Sequence, residues 1–291
     1  MRRGRGFGKI FHDTENQEAI LEMADHGSVQ SVERALTLLE LLARQEDGAR
    51  LSDLATEAGL AASTVHRLLT TLERRRYVQT DSAGRWHVGR QSFAVGQAYS
   101  ARRSFIAPAM PFLRQLRDQT RETANLGILE EGEVVTICQA ESREITRATA
   151  APGGRTPVLS SGMGKAILAT WEDEAIARFI DRFGIRPVTP RGLTSAKAVM
   201  QEIAAIRARG YAVDDEEFVP GLRCVAAVVR DPNGDAACAL SISGLAARMP
   251  PDRVEDFGRR VAGAAARLTE ALGGQPEGKP EGQQPSAPAF R

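Results

Sequence analysis

Four side chains between Ser63 and Arg74 are spaced for reading a nucleic acid. Ser63, Arg67, Thr70 and Arg74 follow one another at steps of four, three and four. At about 100° per residue they fall on one face of a helix. Val65, Leu68, Leu69 and Leu72 fall on the opposite face. An arginine can bond a guanine bidentately in the major groove, and a serine or threonine hydroxyl can bond bases or phosphates. Thr64 and His66 flank the row and are candidates for phosphate contact. Beyond it, the turn Asp81-Ser82-Ala83-Gly84 carries Arg85 to where a hairpin would touch the DNA backbone or the minor groove. Between Ala62 and Arg103 eight arginines oppose two acids, a local surplus of six positive charges in a chain whose net charge is only +1. A charge run alone reads as a solvated helical face; with a helix-turn-helix around it, it reads as an electrostatic footprint.

A second set lies far downstream. Cys224, Ser241 and Ser243 are nucleophile types, and Asp214 is a carboxylate able to orient a partner. Ser241 and Ser243 are two apart on one strand and so share a face. A serine or cysteine nucleophile needs a base, most often histidine. The four histidines are His12, His26, His66 and His87, and none follows. Lys165 is the remaining base type, in no motif for that role. We therefore expect no catalytic residue here. The alternative is an enzyme using Cys224 or Ser241/Ser243 fused to a DNA-binding domain. Cys224 reads equally as a small buried hydrophobe, and Asp214 as part of an exposed acidic loop, DDEE. The three cysteines, Cys138, Cys224 and Cys238, form no C-x-x-C pair. That argues against a disulfide framework and a thiolate zinc site, and no metal or cofactor is expected.

The elements that would position these sets are legible from pattern. Val32, Ala35, Leu36, Leu39, Leu42 and Ala43 recur at helical spacing, so SVQSVERALTLLELLARQ reads as an amphipathic helix. LSDLATEAG is a short second helix stopped at Gly59. The reading helix runs over Ala62–Arg75, and YVQT and RWHV form a hairpin with Trp86 in the core. Helix, helix, turn, helix, hairpin is the order of a winged helix-turn-helix. Gln91 to about Thr120 is helical but interrupted by Pro108 and Pro111, giving a linker helix and then a second helix. Strand patterns over 124–135 and 225–243 flank the helical segments KAILATWEDEAIARFIDRF and SAKAVMQEIAAIRARG, and DRVEDFGRRVAGAAARLTEALGG closes the series. The fold class expected is α+β, with helices packed on an antiparallel sheet. The 291 residues suffice for two domains. We divide them into a flexible basic arm (1–27), a winged helix-turn-helix (28–90), a linker helix (91–105), an effector-binding and oligomerisation domain (106–273) and a disordered tail (274–291). No apolar run reaches the roughly 18 residues of a membrane helix, and no signal-peptide pattern follows the basic start, so a cytoplasmic protein is expected.

SVERALTLLELLA, LSDLATEAGLAASTVHRLLTTLERRRYVQ and YVQTDSAGRWHVG resemble the DNA-binding domain of the IclR family of bacterial regulators. SSGMGKAILA, GYAVDDEEFVPGLRCVAAVV and ALSISG, in that order, resemble the same family's effector domain. The resemblance covers about residues 28–273. It implies a GAF-like effector domain, palindromic promoter sites, homodimers or homotetramers, and small organic or aromatic acids as effectors. It also implies a pocket in which the turn amides around Gly162 and Met163 meet Asp214, Cys224, Ser241 and Ser243, with Leu222 and Thr156 as walls. Met163 stands where the family often has alanine. Its length is expected to shrink the pocket or fold over a small ligand. A 2-oxo acid such as glyoxylate is the expected effector; an aromatic acid would find few stacking partners.

Overall fold

A computed structural model describes residues 29–45, 47–101, 105–142 and 151–276. The basic arm expected over 1–27 lies outside the described residues, as do 277–291 of the expected tail. The chain divides into two compact units, the division in sequence falling between Arg102 and Arg103.

The first unit holds helices α1 (Gln30–Ala43), α2 (Leu51–Glu57) and α3 (Ala62–Arg74), strands β1 (Val78–Thr80) and β2 (Trp86–Val88), and helix α4 (Arg90–Ala101). Its core is built from Leu38, Leu42, Leu54, Val65, Leu69, Val78 and Trp86. The α2–α3 turn is tight because Gly59 adopts a left-handed φ of 62°. That conformation lets the Leu60 amide reach back to the Ala55 carbonyl at 3.0 Å and so satisfies an orphan carbonyl of α2. β1 and β2 pair antiparallel, with Gln79 opposite His87. α1 departs from expectation. Val32 (53% exposed) and Leu36 (52%) face outward, while Leu38, Leu41 and Leu42 are buried. The segment is apolar on more than one face, and docking on α3 and β2 selected the stripe through Leu38 and Leu42.

The second unit holds α5 (Ile106–Thr120), β3 (Thr123–Glu130), β4 (Glu133–Ala140), β5 (Arg155–Pro157), a 3-10 turn (Val158–Ser160), α6 (Gly162–Leu168), α7 (Asp173–Phe183), α8 (Ala196–Arg209), β6 (Ala212–Asp215), β7 (Leu222–Arg230), β8 (Ala236–Leu245) and α9 (Pro251–Ala271). The prolines do not interrupt α5: Pro108 and Pro111 both lie within it. Pro108 sits in the first turn, where an amide has no helical partner to lose. KAILATWEDEAIARFIDRF is not continuous either; it spans α6 and α7, with Glu172 as the N-cap of the latter.

The six strands form one antiparallel sheet in the order β5-β4-β3-β8-β7-β6. Alternation sends Val225, Ala227 and Val229 of β7, with Cys238, Leu240 and Ile242 of β8, to a core under α5 and α9. The other face, with Ala226 and Ala239, packs against α6, α7 and α8. Ser241 and Ser243 share parity with Ala239, so they point to the α6 side. β6 is short and covers only Arg223–Ala226 of β7. The remainder of β7 runs on as a sheet edge.

Candidate DNA-reading surface and effector cavity

In the first unit α3 buries Val65 and Leu69 and leaves Ser63, His66, Arg67 and Arg74 exposed. Thr64 and Thr70 are half-buried at the margins of that row. Thr71 is exposed, but its hydroxyl donates to the Arg67 carbonyl at 2.8 Å, as mid-helix threonines do. The wing is organised by one aspartate. Asp81 Oδ1 accepts from the amides of Ala83 and Arg85, each at 2.9 Å, and Oδ2 sits 2.9 Å from His87 Nε2. Arg85 is half-buried, and its guanidinium donates to the Asp47 carbonyl at 3.2 Å. It is thus partly engaged within the domain. The His87 ring lies directly against Gly48, leaving no room there for a Cβ.

In the second unit four separate elements converge on one cavity of about 40 Å³. α6 brings Gly162 and Met163, β6 brings Asp214, β7 brings Cys224 and β8 brings Ser243, with Thr156 and Leu222 as further walls. Strand register explains the convergence: Cys224 stands opposite both Asp214 and Ser243 on its neighbours. Gly162 lets α6 approach β7 closely: an added Cβ would lie 3.2 Å from Cys224 Sγ, a tight contact. Ser161 caps α6 by accepting from the Gly164 amide at 3.3 Å, and the Lys165 amide bonds the Ser161 carbonyl at 2.9 Å. Among the described residues no acceptor meets the amides of Gly162 and Met163. Ser241 does not line the cavity. It is fully buried behind Asn125, whose Nδ2 stands 3.4 Å from Ser241 Oγ and 3.2 Å from Ser243 Oγ. The other amide atom of Asn125 is buried without a partner.

Asp214 is not in an exposed loop; it is 8% exposed. Its Oδ1 accepts from the amides of Glu217 at 2.8 Å and Phe218 at 3.3 Å. Burial nevertheless pushes its pKa up to about 7, the charge of Glu217 adding to the effect and Lys165 opposing it. Cys224 is pushed up to about 11 by burial and by the charge of Asp214. It is therefore a neutral thiol at physiological pH, the opposite of an activated nucleophile. Lys165 is 1% exposed and engaged within the domain, with Glu202 Oε1 also 3.9 Å from its Nζ. Its Nζ donates to the Val213 carbonyl at 2.6 Å and to Glu217 Oε1 at 2.5 Å.

Asn125, Thr136, Phe218 and Val219 also line the cavity and were not singled out from sequence. The last two belong to the loop following Glu216, whose φ of 63° is a left-handed outlier. Met163 turns its thioether toward β3. There an added Cβ on Gly127 would lie 2.9 Å from both Met163 Sδ and Cε.

Models of two domains match the chain: the IclR helix-turn-helix domain over residues 31–82 and the bacterial transcriptional regulator IclR C-terminal domain over 97–270. The chain belongs to the IclR family. Among its relatives, the transcriptional repressor IclR of Escherichia coli K12 is 39% identical over 85% of this chain and 92% of its own length. The acetate operon repressor of Salmonella typhimurium shows the same figures. The regulator BhcR of Paracoccus denitrificans is 39% identical over 84% and 88%. A regulator from Rhodococcus sp. RHA1 superposes with a TM-score of 0.73 at 27% identity, over 84% of this chain and 98% of its own. The IclR chain is thus a DNA-binding transcription regulator, not an enzyme. No helix among its described residues is long and apolar enough to cross a membrane.

Proposed function

We propose that this IclR-family regulator senses a small 2-oxo acid such as glyoxylate in the Asp214–Cys224–Ser243 cavity, and that occupancy modulates its affinity for promoter DNA. The size and chemistry of the cavity carry this reading. A volume of about 40 Å³ is several times the 10–15 Å³ that one water needs, and too small for a ring. The amides of Gly162 and Met163 and the Ser243 hydroxyl offer donors for a carboxylate. Asp214 can be protonated near neutrality, so it need not repel one. Two observations on relatives favour an acid. One Salmonella relative is named an acetate operon repressor. A structural neighbour from Microbacterium hydrocarbonoxydans, 21% identical, was solved with 4-hydroxybenzoate; the small cavity here favours a smaller acid.

On the DNA side we assign the reading role to Ser63, Arg67, Thr70 and Arg74, and phosphate contact to Thr64, His66 and Arg85. The exposed apolar row Val29, Val32 and Leu36 supports self-association, consistent with a homodimer or homotetramer on a palindromic site. Action on a promoter supports a cytoplasmic location.

Calorimetric titration with glyoxylate tests the pocket. Binding is expected in the parent protein and lost in the Ser241→Ala/Ser243→Ala double variant, with operator binding retained. Undiminished glyoxylate binding in that variant would overturn the assignment.

A further inference from the structure

A second, larger cavity of about 360 Å³ opens where β7 extends past β6. Part of its wall is apolar: Ile206 on α8, Tyr211 just beyond that helix, Val228 on β7, and Ala262 and Ala266 on α9, with Thr170 and Thr269 adding hydroxyls. The two alanines are four residues apart on one face of α9 and leave the space a larger side chain would fill. No acidic residue lines the cavity. Two arginines do, and they differ. Arg207 has its donors engaged by the Ala169 carbonyl, Asp173 and the Trp171 carbonyl. Arg230 has one carbonyl contact, Nη1 to Gly234 at 2.9 Å. Its Nε is buried with no acceptor. Burial lowers its pKa, and the charge of Asp235 only partly offsets that. A half-buried guanidinium with an orphaned donor, on a cavity that no carboxylate lines, is short of an anionic acceptor.

We infer that this cavity is a second ligand site, taking a monocarboxylate with an aliphatic body whose charged end meets Arg230. The carboxylate supplies the acceptor that Arg230 lacks once its guanidinium turns toward the cavity. The apolar part of the wall removes the aliphatic chain from water. The site is separate from the effector cavity but not remote from it. Gly162 and Met163, at the start of α6, line the first, while Ala166 and Ala169, at and just beyond its end, line the second. A ligand in either cavity therefore bears on one short helix.

Octanoate is the probe, with 1-octanol as the uncharged control, each added to the full-length protein in thermal-shift and calorimetric titrations. Octanoate is expected to bind and stabilise the parent protein and the Ser243→Ala variant alike. Binding should be lost in Ala266→Trp, which fills the cavity, and weakened about tenfold in Arg230→Gln. Circular dichroism and operator binding report whether Ala266→Trp is folded; Ala262→Leu is the milder filling variant if it is not. Saturating octanoate should shift the glyoxylate Kd at least about fivefold. Absence of octanoate binding, its persistence in the filled variants, its loss in Ser243→Ala, or equal stabilisation by 1-octanol would each overturn the site. An unchanged glyoxylate Kd would overturn the link through α6.

Discussion

Asp214 shows what tertiary placement does to a single carboxyl. Its neighbours are Glu217, Lys165 and the neutral Cys224 thiol, with Arg223 turned away to Asp215. With its pKa near 7, it is largely protonated below neutrality and charged above. A bound carboxylate favours the protonated form and raises the pKa further. Glyoxylate affinity should thus be flat below pH 7 and fall toward about tenfold per pH unit above it. Calorimetry from pH 5.5 to 8.5 should show that bend, and Asp214→Asn should remove it; an unchanged profile in the variant would assign the proton elsewhere. On α3, Arg67→Ala should cost about 1–3 kcal/mol against the native operator and relax discrimination at one base pair. Arg85→Ala should weaken binding to every sequence alike and reduce the salt slope by about one charge. Operator competition assays across a salt series separate the two roles.

The coupling of α6 to β3 sets the cavity's size. Met163 lines the effector cavity and packs its thioether into the space that Gly127, with no side chain, leaves free. Gly127→Ala should press that side chain back and weaken glyoxylate binding. Met163→Ala should enlarge the cavity and admit bulkier acids such as 2-oxobutyrate or benzoate. Titration of both variants against glyoxylate and benzoate tests this; identical ligand preferences would mean that Met163 does not set the size limit. Lys165 anchors the same helix to β6 and to the loop that carries Phe218. Lys165→Met leaves Glu217 without its cation in a buried setting and should cost about 3–5 kcal/mol in a denaturation experiment.

For the whole molecule, sensing requires that effector and DNA binding be linked. The effect of saturating glyoxylate on operator Kd should be about 5–150-fold, and saturating operator should change the glyoxylate Kd by the same factor. Unequal factors would point to a linked change in oligomeric state, which sedimentation would detect. The Glu122–Arg248 pair, with Nε at 2.7 Å and Nη2 at 2.6 Å, ties the start of β3 to the segment after β8. Gly244 opposite it has no room for a side chain. The sheet between the two layers of helices is braced there, close to Ser243.

Much of the first unit was legible in the chain itself. Helical periodicity separates Val65 and Leu69 from Ser63 and Arg67 without reference to anything outside α3, and Gly59 marks its turn by the backbone conformation it permits. Parity likewise placed Ser241 and Ser243 on one face. Period alone did not choose the buried stripe of α1, because Val32, Leu36, Leu38 and Leu42 are all apolar and only α3 and β2 decide which of them is covered. It did not unite Gly162, Asp214, Cys224 and Ser243, which family resemblance brought together and strand register explains. The pKa of Asp214, the retreat of Ser241 behind Asn125, the commitment of Lys165 to Glu217 and the space beside Arg230 come from burial and long-range packing. Those depend on residues far apart in sequence, so only the tertiary structure decided them.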